Sequence, residues 1–225
     1  MIKPDKIKLT NRKNISLKID RQGKLIVTAP RNADLNHVFN FIKQKENWIV
    51  EKQTQIVSTL NLNNDLFNYE EILFLGKKYP VVFIKNQEEI LLTERALVVP
   101  NNLNFSRERL SKHLRQFYIS NAEVILIKRT KELLNFLNLK CKSVSIINSK
   151  VKWGMCDSNK NVYLNYKLMF LSHNLIDYVI LHELTHLIEL NHSAKFYDEL
   201  KRVLPSYKQY QQQLKKCGFL LSLLT

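Results

Sequence analysis

Twelve consecutive residues, Leu181-His182-Glu183-Leu184-Thr185-His186-Leu187-Ile188-Glu189-Leu190-Asn191-His192, constrain this chain more than any other part of it. They contain H-E-x-x-H and, six residues on, another histidine, so three of the six histidines fall within eleven residues. An α-helix advances about 100° and about 1.5 Å per residue, which puts His186 about 40° round from His182 and about 6 Å further along. Both imidazoles then point the same way. Neutral imidazoles ligate Zn²⁺, and a catalytic site with three protein ligands keeps a fourth position for water, whose pKa falls to about 7. Glu183 can reach that water without taking a metal position, as a general base requires. Ile180, Leu181, Leu184, Leu187 and Ile188 give the helix an apolar face to bury, so the ligands stand on a fixed element.

The third ligand is a choice between Glu189 and His192. Glu189 lies on the same helical stripe about 10 Å along the axis from His182, nearly in line with both histidines, and three points in a line cannot be corners of a tetrahedron. His192 can ligate only if the helix stops near Leu190 and the chain turns back. Asn191 offers the means, because asparagine tolerates the left-handed conformation that ends helices. The expected set is therefore His182, His186 and His192 on zinc with Glu183 as base, and Glu189 as an outer or solvated carboxylate.

Elsewhere the pattern reads as α+β. Loose alternation over Ile7 to Ile19, the Asp20-Arg21-Gln22-Gly23 turn and Lys24 to Thr28, closed by Pro30, suggest a β-hairpin. A helix follows, capped by Asp34, with Leu35, Val38, Phe39, Ile42, Ile49 and Ile56 on one side and Trp48 as a core anchor. Asn61 to Asn68 reads as a surface loop. Short runs at Glu71 to Leu75, Lys78 to Ile84, Ile90 to Thr93 and Ala96 to Val99 suggest an antiparallel sheet continuous with the hairpin. A long helix is expected from Ser106 to about Leu139, with a basic face of Arg107, Arg109, Lys112, Arg115, Lys128, Arg129 and Lys131. Strands are expected at Lys142 to Ile147, Lys150 to Cys156 and Val162 to Tyr166. Val162 to Asn165 is either an edge strand that could pair with an extended peptide or an interior strand. Ser172 or Asn174 caps the site helix, expected to run to about Leu190; Ser193 starts another, Pro205 stops it, and Tyr207 to Lys216 forms the last. Phe219 to Leu224 is expected to dock on the body. Two regions result: residues 1–105, β-rich with one helix, and residues 106–225, the catalytic half, a small mixed sheet plus the H-E-x-x-H helix.

Three widely spaced cysteines without a C-x-x-C pair argue against a disulfide framework, and Cys156 reads as a small buried hydrophobe. No stretch is apolar enough for a membrane span, and the charged start lacks the apolar core of a secretory signal, so the expected compartment is the cytoplasm. The net charge of +15 concentrates in residues 1–60, with twelve Lys/Arg against five Asp/Glu, and 111–160, with ten against three. Such clusters can hold phosphate backbone, but they are commonly solvated faces, and no nucleic-acid-binding motif accompanies them.

Three segments resemble the YgjP-like zinc metallopeptidases of bacteria. Lys152-Trp153-Gly154-Met155-Cys156 is similar to that family's R-W-G-S-C, with Lys for Arg and Met for Ser. Asn161 to Leu168 is similar to N-I-x-L-N-W-x-L. Asp177 to His186, with Asn191-His192-Ser193 and Phe196, is similar to D-Y-V-x-x-H-E-L-x-H followed by N-H-S-x-x-F. Val27-Thr28-Ala29-Pro30, Trp48-Ile49 and Leu75 to Tyr79 look like family features as well. The resemblance implies a zincin-like catalytic half acting on a protein or peptide substrate. The run from His182 to Phe196 also looks like the Wss-type and SprT-like proteases that act on DNA-bound proteins, which makes such a substrate the alternative. The remaining alternative is a non-catalytic basic binding module with structural zinc, although closed structural sites are typically cysteine-rich. Tyr163, Tyr166, Tyr197 and His173 are the candidates for stabilising the oxyanion.

Overall fold

A computed structural model describes residues 2–20, 23–54 and 70–224. Contacts divide the chain into two units, Met1–Asp65 and Leu66–Thr225.

In the first unit, Leu25, Val27 and Ala29 alternate with half-exposed neighbours along β3 (Leu25–Pro30), which makes it the central strand of an order β1-β3-β2. β2 (Ser16–Ile19) pairs with it antiparallel, as the hairpin reading expects. β1 (Lys6–Thr10) pairs on the other side in parallel, so the sheet is mixed rather than a plain antiparallel hairpin. The buried face of β3 packs on Val38 and Ile42 of α1 (Leu35–Gln44) and on Ile49 from the helical residues 46–54 (α2). Asp34 caps α1, its Oδ1 accepting from the Asn36 amide at 3.0 Å. Trp48 is not the anchor: it is 37% exposed, whereas Ile49 is fully buried. Within α2, Trp48 stands about 100° round from Ile49 and so off the buried face. Ile56 and the Asn61 to Asn68 stretch lie outside the described residues.

The second unit holds two further sheets. β4 (Glu71–Phe74), β5 (Lys77–Ile84), β6 (Leu91–Leu92) and β7 (Leu97–Pro100) form a separate mixed sheet of order β4-β5-β7-β6. The expected antiparallel sheet is corrected by its β5–β7 pair, which is parallel because the chain returns through β6 before adding β7. Ile72, Phe74, Leu97 and Val99 share one core with the C-terminal helices, which is why this sheet falls in the second unit, whereas the sequence reading sets its boundary after residue 105. α3 (Arg107–Phe136), capped by Ser106, buries Leu110, Leu114, Tyr118, Ala122, Leu126 and Thr130 at four-residue spacing. Tyr118 Oη donates to the Leu73 carbonyl at 2.7 Å.

β8 (Ser143–Ile147), β9 (Gly154–Cys156) and β10 (Asn161–Asn165) follow, in the order β8-β10-β9. β10 is the central strand, parallel to β8 and antiparallel to β9, so the interior alternative holds for Val162 to Asn165 and the edges of the sheet are β8 and β9. Buried Asn165 shapes the loop before β9: its Nδ2 donates to the carbonyls of Ser149 and Lys152 at 2.8 and 2.7 Å. The remaining helices are α4 (His173–Thr185), α5 (Ala194–Val203) and α6 (Tyr207–Lys216). The C-terminal segment docks as expected: Leu220, Leu221 and Leu223 are buried, and Tyr166 Oη and Lys167 Nζ donate to the carbonyls of Leu224 and Leu221 at 2.9 and 2.6 Å. No helix of the described residues is long and apolar enough to cross a membrane.

Candidate metal centre

α4 is fixed from both ends of its neighbourhood. At its start, Leu75 and Gly76 both take positive φ, +49° and +77°, the pairing a two-residue turn between β4 and β5 needs. That turn presses on the N-cap residue Ser172 so closely that a Cβ on Gly76 would lie 2.9 Å from Ser172 Cα. Midway, Arg129 of α3 grips Asp177 with two hydrogen bonds, Nε to Oδ1 at 2.7 Å and Nη2 to Oδ2 at 2.8 Å. Fork-to-carboxylate geometry holds direction as well as distance, so it sets how α4 is rotated against α3.

The helix stops earlier than the sequence suggests, at Thr185, with His186 as its C-cap. It does not stop by a left-handed Asn191, which is absent from the positive-φ residues. Tightened turns do it instead: the amides of Leu187 and Ile188 bond back to Leu184 and Thr185, and the Ser193 amide bonds to the Asn191 carbonyl at 2.7 Å. Ser193 then caps α5, its Oγ accepting from the Phe196 amide. Capped at both ends, the reversal carries His192 back over α4.

His182, His186 and His192 come together, with one nitrogen from each within 4.8 Å of the others. The ring centroids are 4.7 to 5.2 Å apart. His182 Nε2 and His192 Nε2 face each other at 3.0 Å. Ligands of a tetrahedral zinc at about 2.0–2.1 Å would stand about 3.3 Å apart, so the pair is spaced for one ion. His186 Nδ1 lies 3.1 Å from the Glu189 carbonyl, an acceptor that favours the proton on Nδ1 and leaves Nε2 free to ligate a metal. Burial, with His186 and His192 beside it, lowers the His182 pKa to about 4, and burial lowers His186 too, so both are in the neutral form that binds metal. His182 Nδ1 is buried without a hydrogen-bond partner among the described residues. The donors present fit a zinc ion.

Glu189 stays outside this group. Its Oε1 accepts from the Asn191 amide at 3.4 Å, so its side chain serves the turn. Glu183 is buried beside His182, and burial raises its pKa to about 8 against a lowering pull from Lys152. Its carboxyl has no hydrogen-bond partner among the described residues. Among the four oxyanion candidates, Tyr163 is engaged with Asp157 at 3.3 Å, Tyr166 holds Leu224, and His173 begins α4 about two and a half turns from His182. Tyr197 alone stacks on a site histidine, its centroid 6.2 Å from that of His192.

Two residues that the sequence reading quotes only as parts of a family-like motif contribute to the centre. Phe196, fully buried, lies under all three imidazoles with centroids 4.6 to 5.0 Å away. Tyr178 lies edge-on to His182 at 6.1 Å, and its position four residues earlier on the same helical face is the signal that could have found it. Cys156 is only partly buried; burial, helped by Glu183 nearby, raises its thiol pKa to about 11, which keeps it protonated.

Two solved structures match part of this chain. The metallopeptidase zymogen abylysin of Pyrococcus abyssi is 20% identical over 40% of this chain and 91% of its own, with a TM-score of 0.37. The metallopeptidase zymogen jannalysin of Methanocaldococcus jannaschii is 24% identical over 40% of this chain and 94% of its own, also with a TM-score of 0.37. A comparison with curated proteins gave no match. The family model described as YgjP-like, metallopeptidase domain, matches residues 13–217, nearly the whole chain and every residue of the centre. With that extent of match the chain belongs to the YgjP-like metallopeptidase family.

Proposed function

We propose that the protein hydrolyses peptide bonds with a zinc ion held by His182, His186 and His192, and with Glu183 as the general base. The observation that carries this reading is three converging imidazoles beside a buried carboxyl, without a hydrogen bond among the described residues, on the same turn of helix as His182. A bound zinc would supply an open position for water, lower that water's pKa and polarise the scissile carbonyl. Glu183 takes the proton of the attacking water and passes it to the leaving amine. Tyr197, whose ring stacks on that of His192, is the candidate for meeting the developing oxyanion. All these residues lie in the proposed catalytic region 106–225, and the substrate is a protein or peptide.

Three imidazoles without a cysteine favour this over a structural metal, because a structural site fills its tetrahedron with protein ligands. The test is to purify Glu183→Gln beside the wild type, measure bound zinc in each, and assay casein and a peptide library. Zinc retained with cleavage lost supports the assignment. Equal cleavage by both refutes it.

A further inference from the structure

Gly154 opens β9, an edge strand of its sheet, opposite Leu164 of β10. A glycine is a poor strand residue, and one inside a strand often marks close approach by another group. Backbone conformation does not demand it, since among the described glycines only Gly23 and Gly76 have positive φ. Space does. A Cβ built on Gly154 would stand 2.7 Å from Cγ and 2.7 Å from Oε1 of Glu183. Such separations do not occur between real side chains, and the group that would be struck is the catalytic carboxylate of the reading above.

That carboxyl lacks the usual means of orientation. It has no hydrogen bond among the described residues, so packing, with the charge of Lys152 nearby, decides where its oxygens lie. On one side is its own helix; on the other is the bare Cα of Gly154. The wall is itself held rigidly: the Asn165 amide donates to the Trp153 carbonyl at 2.8 Å, and the Asn165 side chain ties down the carbonyls of Ser149 and Lys152 just before it. Glu183 would therefore have to yield to a new methyl group, because the strand cannot.

We propose that Gly154 is a positioning residue: the missing side chain at 154 defines the rotamer of Glu183 and hence where the base meets the water. This inference rests on Glu183 being the base. A displacement of about 1 Å at a catalytic group costs about 10²-fold in rate.

The experiment compares wild type, Gly154→Ala, Glu183→Asp and the double variant, with Glu183→Gln as the control for the base itself. Each is measured for bound zinc, Tm, kcat and KM on one peptide. Gly154→Ala is expected to keep its zinc and its KM and to lose about 10²-fold in kcat. Aspartate is one methylene shorter and vacates the space the alanine methyl needs. The double variant is therefore expected to be no slower than Glu183→Asp alone, and any Tm lost in Gly154→Ala is expected to return in it. Wild-type kcat in Gly154→Ala overturns the proposal. So does a double variant whose losses in kcat or Tm multiply, since that marks a lesion in β9 unrelated to Glu183. Cleavage by Glu183→Gln at the wild-type rate would instead overturn the base assignment, which the Gly154 measurements alone leave standing.

Discussion

Replacing His192 and Glu189 separately tests how the centre is completed. Zinc sites with four protein ligands bind with about 10–16 kcal/mol in total, so one imidazole contributes about 3–4 kcal/mol, or about 10²–10³ in affinity. His192 is solvent-exposed, so water can enter the gap left by truncation, and His192→Ala is expected at the low end, about 100-fold weaker for zinc. Glu189→Gln removes only a carboxylate that accepts one long hydrogen bond from the Asn191 amide, at 3.4 Å. The backbone carbonyl that holds His186 is untouched, so the expected change in zinc affinity is about twofold or less. Competition against a chromophoric chelator reads both affinities. The Tm gained on adding zinc provides a second readout, because a 100-fold weaker site forfeits about 2.7 kcal/mol of ligand stabilisation at saturating metal. A His192→Ala variant with wild-type zinc affinity would refute the geometry, as would a Glu189→Gln variant as impaired as His192→Ala.

Phe196→Leu keeps an apolar side chain under the imidazoles but removes the ring they pack on; a stability loss of about 1 kcal/mol by denaturant titration and several-fold weaker zinc binding are expected, and unchanged affinity would mean the ring only fills space. Burial, with Lys150 and Arg115 nearby, lowers the Lys167 pKa from 10.5 to about 8. Below pH 8 folded and unfolded chains are both protonated and the cost of burying the ammonium is present in full; between about 8 and 10.5 the unfolded chain binds the extra proton, so stability rises with pH. The Tm difference between wild type and Lys167→Met is expected to shift in favour of the wild type across that window, and a difference independent of pH would refute it.

The convergence of the three histidines was legible because its information is local. Two imidazoles four residues apart need only a helix, and Ser193 announces where the next helix starts, so His192 could be assigned before any tertiary contact was known. What lay between them was less legible. Asn191 was the obvious helix terminator, yet the reversal uses tightened amide bonds to Leu184 and Thr185, a device open to almost any residues. Strand pairing escaped more widely. The runs around Ile7, Val81 and Val98 have ordinary strand composition, and nothing in them encodes that β1–β3 and β5–β7 are parallel, since that depends on which partner the chain reaches. Gly154 is the extreme case: its role lies in a space shared with a side chain 29 positions away.

The buried polar side chains of the described residues differ in how they are satisfied. Thr130, Asn165, Lys167, Glu183, Thr185 and His186 are the buried polar side chains among the described residues. Thr130 and Thr185 bond to carbonyls one turn back, Asn165 and Lys167 to carbonyls of the loop before β9 and of the C-terminal segment, and His186 to Glu189. Glu183 is the exception, and it adjoins His182, whose Nδ1 is also buried without a partner. A buried polar group left unpaired costs about 1–3 kcal/mol, and Thr10 Oγ1 and Arg115 Nε, away from the histidines, are also buried without partners among the described residues. A carboxyl already bonded to a neighbour would have to break that bond before it could take a proton from water. In the proposed reading, a Glu183 carboxyl held against Gly154 and near three converging histidines, without a hydrogen bond among the described residues, exchanges some stability of the folded chain for freedom to trade a proton with water.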